Sequence, residues 1–390
     1  MESFIWMALF WAAIIYILYA EIGYLFLLYG LSFFRTQDLP EGSDMPPVTL
    51  LIAAYNEARI IRAKLDNSLA LDYPAGRLQI LVASDCSSDE TEAIVRSYAD
   101  KAVMLVRSCP RRGKIAALRL AEPHITGEIV VFTDADSMLN PGALLALVRR
   151  FSDTSVGAVS GREVRPRLTV VGKGKGEGLY SRIDTTIKTL EGRVGNQVGV
   201  HGGIFAMRRE LMPYVPDHLS HDAIVPLQLV LSGYRVLYEP EAVSTEPYEL
   251  DSAQDFRRRI RTVLQSIQSY LYVKDTLNPV RTGFYAVQIV SHRFSRWFIL
   301  PAMITALIAN IFLLAVSPLY QLAMLAQIAF YGLALAGMLA DRMGRQPAVL
   351  YFPYYFVYIH IPAFYAVLLH LSGQKMTTWR PTPREAVSQK

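Results

Sequence analysis

Apolar residues fall along this chain in three regimes. Residues 4–34 are almost wholly apolar, with Glu21 their one charge. The run exceeds the ~20 residues that a spanning helix needs, and it lacks the basic start and small-residue cleavage site of a signal peptide. It predicts one transmembrane helix with an interfacial extension. Arg35 follows at once, which by the positive-inside rule places the next domain in the cytoplasm. Residues 37–47, rich in Pro, Gly and Asp, read as a linker.

From residue 48 short apolar runs alternate with amphipathic stretches. Strands are predicted at 48–54, 78–84, 102–106 and 128–132, and helices at 57–69, 89–98, 113–121 and 141–151. That alternation implies a parallel sheet with helices on both faces. The polar features Asn56-Glu57, Asp85, Arg111 to Lys114, and Asp134 with Asp136 each follow a strand. They share one sheet edge, where open α/β sheets collect ligands. Further on, 156–164, 204–207 and 235–238 read as strands, and 179–191 and 221–231 as helices. The glycine-lysine run 172–178 lacks P-loop spacing and is expected to form a mobile loop. Residues 253–272 have helical periodicity with a basic face of Arg257, Arg258, Arg259 and Arg261.

The last third turns apolar again. Residues 284–298, with His292, Arg293 and Arg296, suit an interface helix. Spans are predicted at 298–316, 319–340 and 349–371, the last interrupted by Pro353 and Pro362. One span before the domain and three after it put the tail outside, whereas Lys375, Arg380, Arg384 and Lys390 favour inside. A re-entrant last segment would resolve the conflict; three full spans are the preferred reading. The organisation is then a membrane helix in 1–36, an α/β domain in 46–250, basic interface helices in 251–297, about three membrane helices in 298–371 and a basic tail in 372–390.

Composition changes this picture little. Hydrophobic residues make up 52% and charged residues 19%, with a net charge of +5. Arginines clustered at 257–261 fit one anionic ligand or a membrane face, and no nucleic-acid motif is present. Cys86 and Cys109 have no metal-ligand spacing and predict reduced thiols without a disulfide framework.

Candidate chemistry centres on Asp134-Ala135-Asp136, where an apolar strand runs into two carboxylates. Their mutual repulsion calls for a counter-charge, and hard oxygen ligands suit Mg2+ or Mn2+ shared with substrate phosphates. The competing reading is an Asp-rich turn. Asp89 fits a helix N-cap better than a ligand. Lys114 sits at a helix start, where its charge opposes the dipole, and this favours a functional role. His201 and His221 read as structural.

Five stretches in order carry a resemblance: Tyr55-Asn56-Glu57 after the first strand, Asp85 to Thr91, Arg112-Gly113-Lys114, Asp134-Ala135-Asp136, and His221-Asp222 through Glu239-Pro240-Glu241. Together they resemble the family 2 glycosyltransferases over residues 46–275, and within them the membrane-embedded synthases of cellulose, hyaluronan and poly-N-acetylglucosamine type. The resemblance implies a GT-A fold, a Rossmann-like, mostly parallel α/β domain on the cytoplasmic side, flanked by transmembrane helices. It further implies an inverting transfer from a nucleotide-sugar, read as a UDP-sugar, with Asp136 as metal ligand and Asp134 on the metal or the donor. Tyr55, Glu57 and Asp85 would hold the nucleotide, Lys114, Arg259 and Arg261 the diphosphate, and Asp222 would be the base. The sequence departs from the family at His221, where Glu is usual, and at Arg258 and Thr262, which replace the Gln and Trp of the processive Gln-x-x-Arg-Trp motif.

The acceptor is then expected to be lipid-linked or a growing glycan of a cell-surface polysaccharide, at a bacterial inner or plasma membrane. Membrane lipid and other assembly proteins or a second copy are the further expected partners. Processive synthesis and single-sugar transfer both stay open. A non-catalytic nucleotide-binding scaffold is the reading from another class, and the retained carboxylates argue against it. A G-x-G-x-x-G dinucleotide site is absent after the first strand.

Overall fold

The computed structural model describes residues 2–35, 39–164, 175–246, 252–345 and 347–374. Eight strands form one sheet in the order β3-β2-β1-β4-β7-β6-β8-β5. They are β1 Val48–Ala54, β2 Leu78–Ser84, β3 Val103–Arg107, β4 Ile129–Asp134, β5 Met138–Leu139, β6 Val156–Val164, β7 Phe205–Arg208 and β8 Arg235–Thr245. β1 pairs in parallel with β2 on one side and β4 on the other, and β2 with β3. β7 is antiparallel to both β4 and β6, and β5 to β8. The sheet is therefore mixed, parallel in the half that the alternation predicted.

Side chains of one strand alternate between two cores, as the pleat requires. Val48, Leu50 and Ile52 enter the layer under helices Ile61–Leu69 and Ala143–Val148, while Leu51, with Val130 and Phe132 of β4, enters the layer under Lys114–Ala121 and His221–Leu231. Leu50, Leu51 and Ile52 are fully buried, each contributing about 1.5–3 kcal/mol. Residues apolar on both faces leave β1 no position but the sheet centre.

The register Ala53↔Asp134 and Ala54↔Ser84 brings the ends of β1, β2 and β4 level. Because β2 and β3 pair as Ser84↔Arg107, the residues two beyond each end also meet. Cys86 and Cys109 are joined there as a disulfide, with Cα atoms 4.9 Å apart. This corrects the expectation of free thiols: their spacing in sequence is uninformative, and the strand register brings them together. Of the glycine-lysine run, 172–174 lie outside the described residues, while 175–178 open the helix Lys175–Val194 instead of a loop.

Among the described residues three helices are long and apolar enough to cross a membrane: Glu2–Ser32, Pro318–Arg342 and Val349–Leu371. The predicted span at 298–316 is shorter than expected. It appears as Ile299–Leu313, bent by 58° from the helix Phe284–Trp297, so the two form one broken unit. Fifteen residues rise about 22 Å, short of a ~30 Å hydrocarbon core. The last helix continues through Pro353 and Pro362. Glu21 lies in a π-helical turn of the first helix, 3.3 Å from His360 of the last. The basic tail from 375 lies outside the described residues.

Glu239 in β8 is 1% exposed and accepts hydrogen bonds from Arg149 (3.1 Å) and Arg150 (2.7 Å), the latter also reaching Glu41 before β1. Glu239→Ala strands a buried guanidinium. It is expected to cost about 3–5 kcal/mol and lower the thermal midpoint of the purified chain by about 5–10 °C.

Candidate active site

A cavity of about 630 Å³ opens at the carboxyl edge of β1, β2 and β4. Every residue nominated from the sequence lines it: Tyr55, Glu57, Asp85, Lys114, Asp134, Asp136, Asp222, Arg259 and Arg261. They come from separate loops and helices, drawn together by the level strand ends.

At one end Arg111 stacks over the Tyr55 ring, 3.8 Å from its centroid. Asp85 is buried, and its two oxygens accept from the backbone N–H groups of Arg112 and Gly113, both at 2.9 Å. The carboxylate thereby holds the loop that starts helix Lys114–Ala121. Gly113 adopts a φ of 100°, which L side chains rarely tolerate, so the loop requires glycine. Asp89 stands one residue before Glu90, the N-cap of helix Thr91–Arg96, which corrects its N-cap reading: one oxygen takes the Thr91 N–H at 3.0 Å, the other the Ala58 N–H. Thr91 Oγ1 in turn accepts the Glu57 N–H at 2.8 Å.

In the centre the Lys114 Nζ lies 2.5 Å from Asp134 Oδ1. Burial draws its ammonium down, but Asp134, Asp222 and Asp136 together push it above the ordinary lysine range. Behind the turn Lys64 is fully buried, its Nζ donating to Thr133 Oγ1 at 2.9 Å and the Ser137 carbonyl at 2.5 Å. Burial pulls Lys64 down to about 7, opposed by Asp134 and Asp136. Among the described residues no group of three or more His, Cys, Asp or Glu converges as a metal cage. Two carboxylates on an open cavity instead fit a cation completed by phosphate oxygens and water, the habit of Mg2+ and Mn2+.

Asp222 sits in the first turn of helix His221–Leu231, whose N-cap is Ser220, so capping is not its task. Burial first, then Asp134, raises its carboxyl above the ordinary range, with Lys114 opposing. Gly202 leaves it room: a Cβ there would stand 2.8 Å from Asp222 Oδ2. His221 is buried against Phe132 and Phe205, with ring centroids 4.6 and 5.3 Å away. Burial and the nearby Lys114 bring its imidazole down to about 3, so it is a neutral packing residue. His201 Nε2 lies 2.7 Å from Lys188 Nζ, and its Nδ1 3.3 Å from Glu163.

The basic helix Ser252–Tyr272 divides its arginines. Arg258 pairs with Glu246 at 3.4 Å, and Arg259 with Asp255 at 2.6 Å. Arg261 makes no ion pair among the described residues; burial lowers its guanidinium, and the field of Asp134 counters that. Thr262 lines the same wall. Sequence reasoning missed Lys64, Lys188, Glu163 and Arg293, the last three of which line the cavity. A signal existed for Lys64 alone, a lysine within the inward stripe Ile61, Lys64, Leu65, Ser68.

Residues 49–213 match the model of glycosyl transferase family 2. A poly-beta-1,6-N-acetyl-D-glucosamine synthase of Staphylococcus aureus is 29% identical over 208 residues, 51% of this chain and 50% of that protein. A probable glycosyltransferase, YdaM, of Bacillus subtilis is 26% identical over 266 residues, covering 62% of this chain and 60% of its own. The chain thus spans about half the length of the first of these curated relatives. Among solved structures, a mannosyltransferase of Pyrobaculum calidifontis in complex with GDP-Man and Mn2+ superposes with a TM-score of 0.73 at 26% identity, over 96% of this chain and 100% of that one. Residues 49–213 thus match a glycosyl transferase family 2 domain, and the chain has the GT-A fold.

Proposed function

We propose that this chain is a membrane-bound inverting glycosyltransferase with its catalytic domain on the cytoplasmic side. It moves one sugar from a nucleotide-sugar, read as a UDP-sugar, to a lipid-linked or growing glycan acceptor. The carrying observation is the single cavity that joins Asp134 and Asp136, Lys114 and Arg261 to Asp222. The Staphylococcus relative supports a polysaccharide product, and the Pyrobaculum structure supports a donor held with Mn2+.

In this reading Tyr55, Glu57 and Asp85 frame the nucleotide. Asp136 and Asp134 hold the cation, whose positive charge, when bound, neutralises the departing diphosphate. Lys114 and Arg261 add charge at the leaving group as it becomes more anionic. Arg259 stands at the cavity wall as a further phosphate contact. Asp222 accepts the proton of the attacking acceptor hydroxyl, and its raised carboxyl gives it basicity suited to the task. Thr262 in the wall provides no ring on which a growing chain stacks, which favours single-sugar transfer over polymerisation.

Membranes containing the chain, given a panel of radiolabelled nucleotide-sugars and Mn2+, are expected to label a lipid-extractable product. Asp136→Asn and Asp222→Asn are expected to lower the rate by about a hundredfold or more. Equal rates in both variants and wild type would sink the assignment. Gly202→Ala is expected to turn the Asp222 carboxylate aside, lowering kcat by about tenfold or more while KM for the donor and the thermal midpoint stay near wild type. The acid limb of kcat/KM against pH is expected above the usual carboxylate range, because Asp222 must lose a proton that burial helps it keep.

A further inference from the structure

Lys64 has no part in the chemistry above, yet it is the most deeply buried cation near the carboxylates. An ammonium sealed from water is strongly disfavoured unless oxygen acceptors and negative charge surround it. Lys64 has both. Its two acceptors, Thr133 Oγ1 and the Ser137 carbonyl, bracket Asp134-Ala135-Asp136 in the chain. One turn further along the same helix, Asn67 Nδ2 donates to the Leu139 carbonyl and Asn67 Oδ1 accepts the Leu139 N–H, both at 2.9 Å. One helix face therefore grips the segment from 133 to 139 at three points. On the cavity side Lys114 holds Asp134 through a side chain that is 35% exposed and lines the open space. The carboxylates stand between two lysines, one facing the ligand space and one sealed behind it.

We infer that Lys64, with Asn67, is the positioning residue that keeps the Asp134-Ala135-Asp136 turn in ligand-ready form, while Lys114 is exchanged from Asp134 onto the arriving diphosphate. The inference rests on the donor reading of the cavity proposed above. An ammonium behind the turn opposes a bare cation and attracts a metal–diphosphate complex, which carries net negative charge. Lys64 thus works on the complex, and the probe is accordingly Mn2+ together with a nucleoside diphosphate.

The purified full chain in detergent is titrated with UDP and with GDP, with and without Mn2+, and the Mn2+ EPR spectrum of the complex is recorded. Lys64→Met is expected to weaken Mn2+-dependent nucleotide binding by about tenfold or more and to change the bound-Mn2+ spectrum. Thr133→Val keeps the shape but removes one acceptor, and is expected to weaken binding by about threefold; it decides the matter if Lys64→Met does not fold. Leu65→Ala, fully buried on the same helix, is expected to lower the thermal midpoint but leave affinity and spectrum as in the wild type. Wild-type binding with Lys64→Met unaltered, or Leu65→Ala losing as much affinity as Lys64→Met, overturns the positioning role alone. Absence of Mn2+-dependent nucleotide binding in the wild type overturns the donor reading, and the positioning role with it.

Discussion

Two like charges one residue apart at the end of a buried strand are the constraint around which this molecule is arranged. Carboxylates at such separations repel by roughly 2–4 kcal/mol in a protein environment. Nothing in the core beneath β4 offsets that repulsion, since Ile129, Val130, Val131 and Phe132 are apolar and buried. The compensation comes from elsewhere in the chain: Lys114 from the loop after β3, Lys64 from the helix after β1, and the field of Arg261 from the basic helix. Each depends on the parallel register that levels the ends of β1, β2 and β4. A one-residue slip of β4 would turn Asp134 toward the opposite core and sever its contact with Lys114.

The same dependence decides how much was legible in the sequence. β1, β2 and β4 are short apolar runs ending in polar residues, and local pattern located them closely. All nine nominated site residues line the cavity: Tyr55, Glu57, Asp85, Lys114, Asp134 and Asp136 at or after strand ends on the common edge, and Asp222, Arg259 and Arg261 from two helices that face it. In the antiparallel half the strands are legible but their pairing is not, for identifiable reasons. β7 is four residues long and pairs with strands that are remote in sequence. The pattern predicts a strand over 235–238, yet β8 runs on through Pro240 to Thr245. The register with β6 shifts between Ser160↔Tyr238 and Arg162↔Val243, so Pro240 falls within the irregularity where no ladder donor is needed. The Cys86–Cys109 pair and Lys64 were hidden in another way. Their meaning lies in which loop or helix packs beside them, and periodicity does not encode that.

The apolar ends obey the same rule that buried charge seeks a partner. Glu21 and His360 belong to the first and last long apolar helices and meet each other. Tyr24 donates to Glu191 at 2.7 Å, and His292 lies 2.8 Å from the same oxygen, tying the first helix and the Phe284–Trp297 segment to Lys175–Val194 of the catalytic domain. These polar ties fix where the apolar helices stand relative to the sheet, as apolar packing alone does poorly among helices of similar surface. Both π-helical turns, Tyr19–Gly23 and Val290–Phe294, lie at these junctions, where an extra residue per turn redirects a side chain inward.

The basic helix shows how composition misleads when partners are ignored. Arg257, Arg258, Arg259 and Arg261 look like a patch for anionic lipid, worth about 1 kcal/mol per residue at a charged surface. Arg258 and Arg259 are instead committed to Glu246 and Asp255, and with Arg261 they line the cavity. A cation turned inward and already neutralised contributes little to a lipid surface. Of these three, Arg261 alone makes no ion pair among the described residues, and its charge is sustained by Asp134 across the cavity. In the function proposed above, such a partly desolvated guanidinium receives a phosphate that arrives between it and Asp134. Thr262 stands beside Arg261 in the cavity wall and, in that same proposed function, puts a hydroxyl where the resemblance to processive synthases would place a ring.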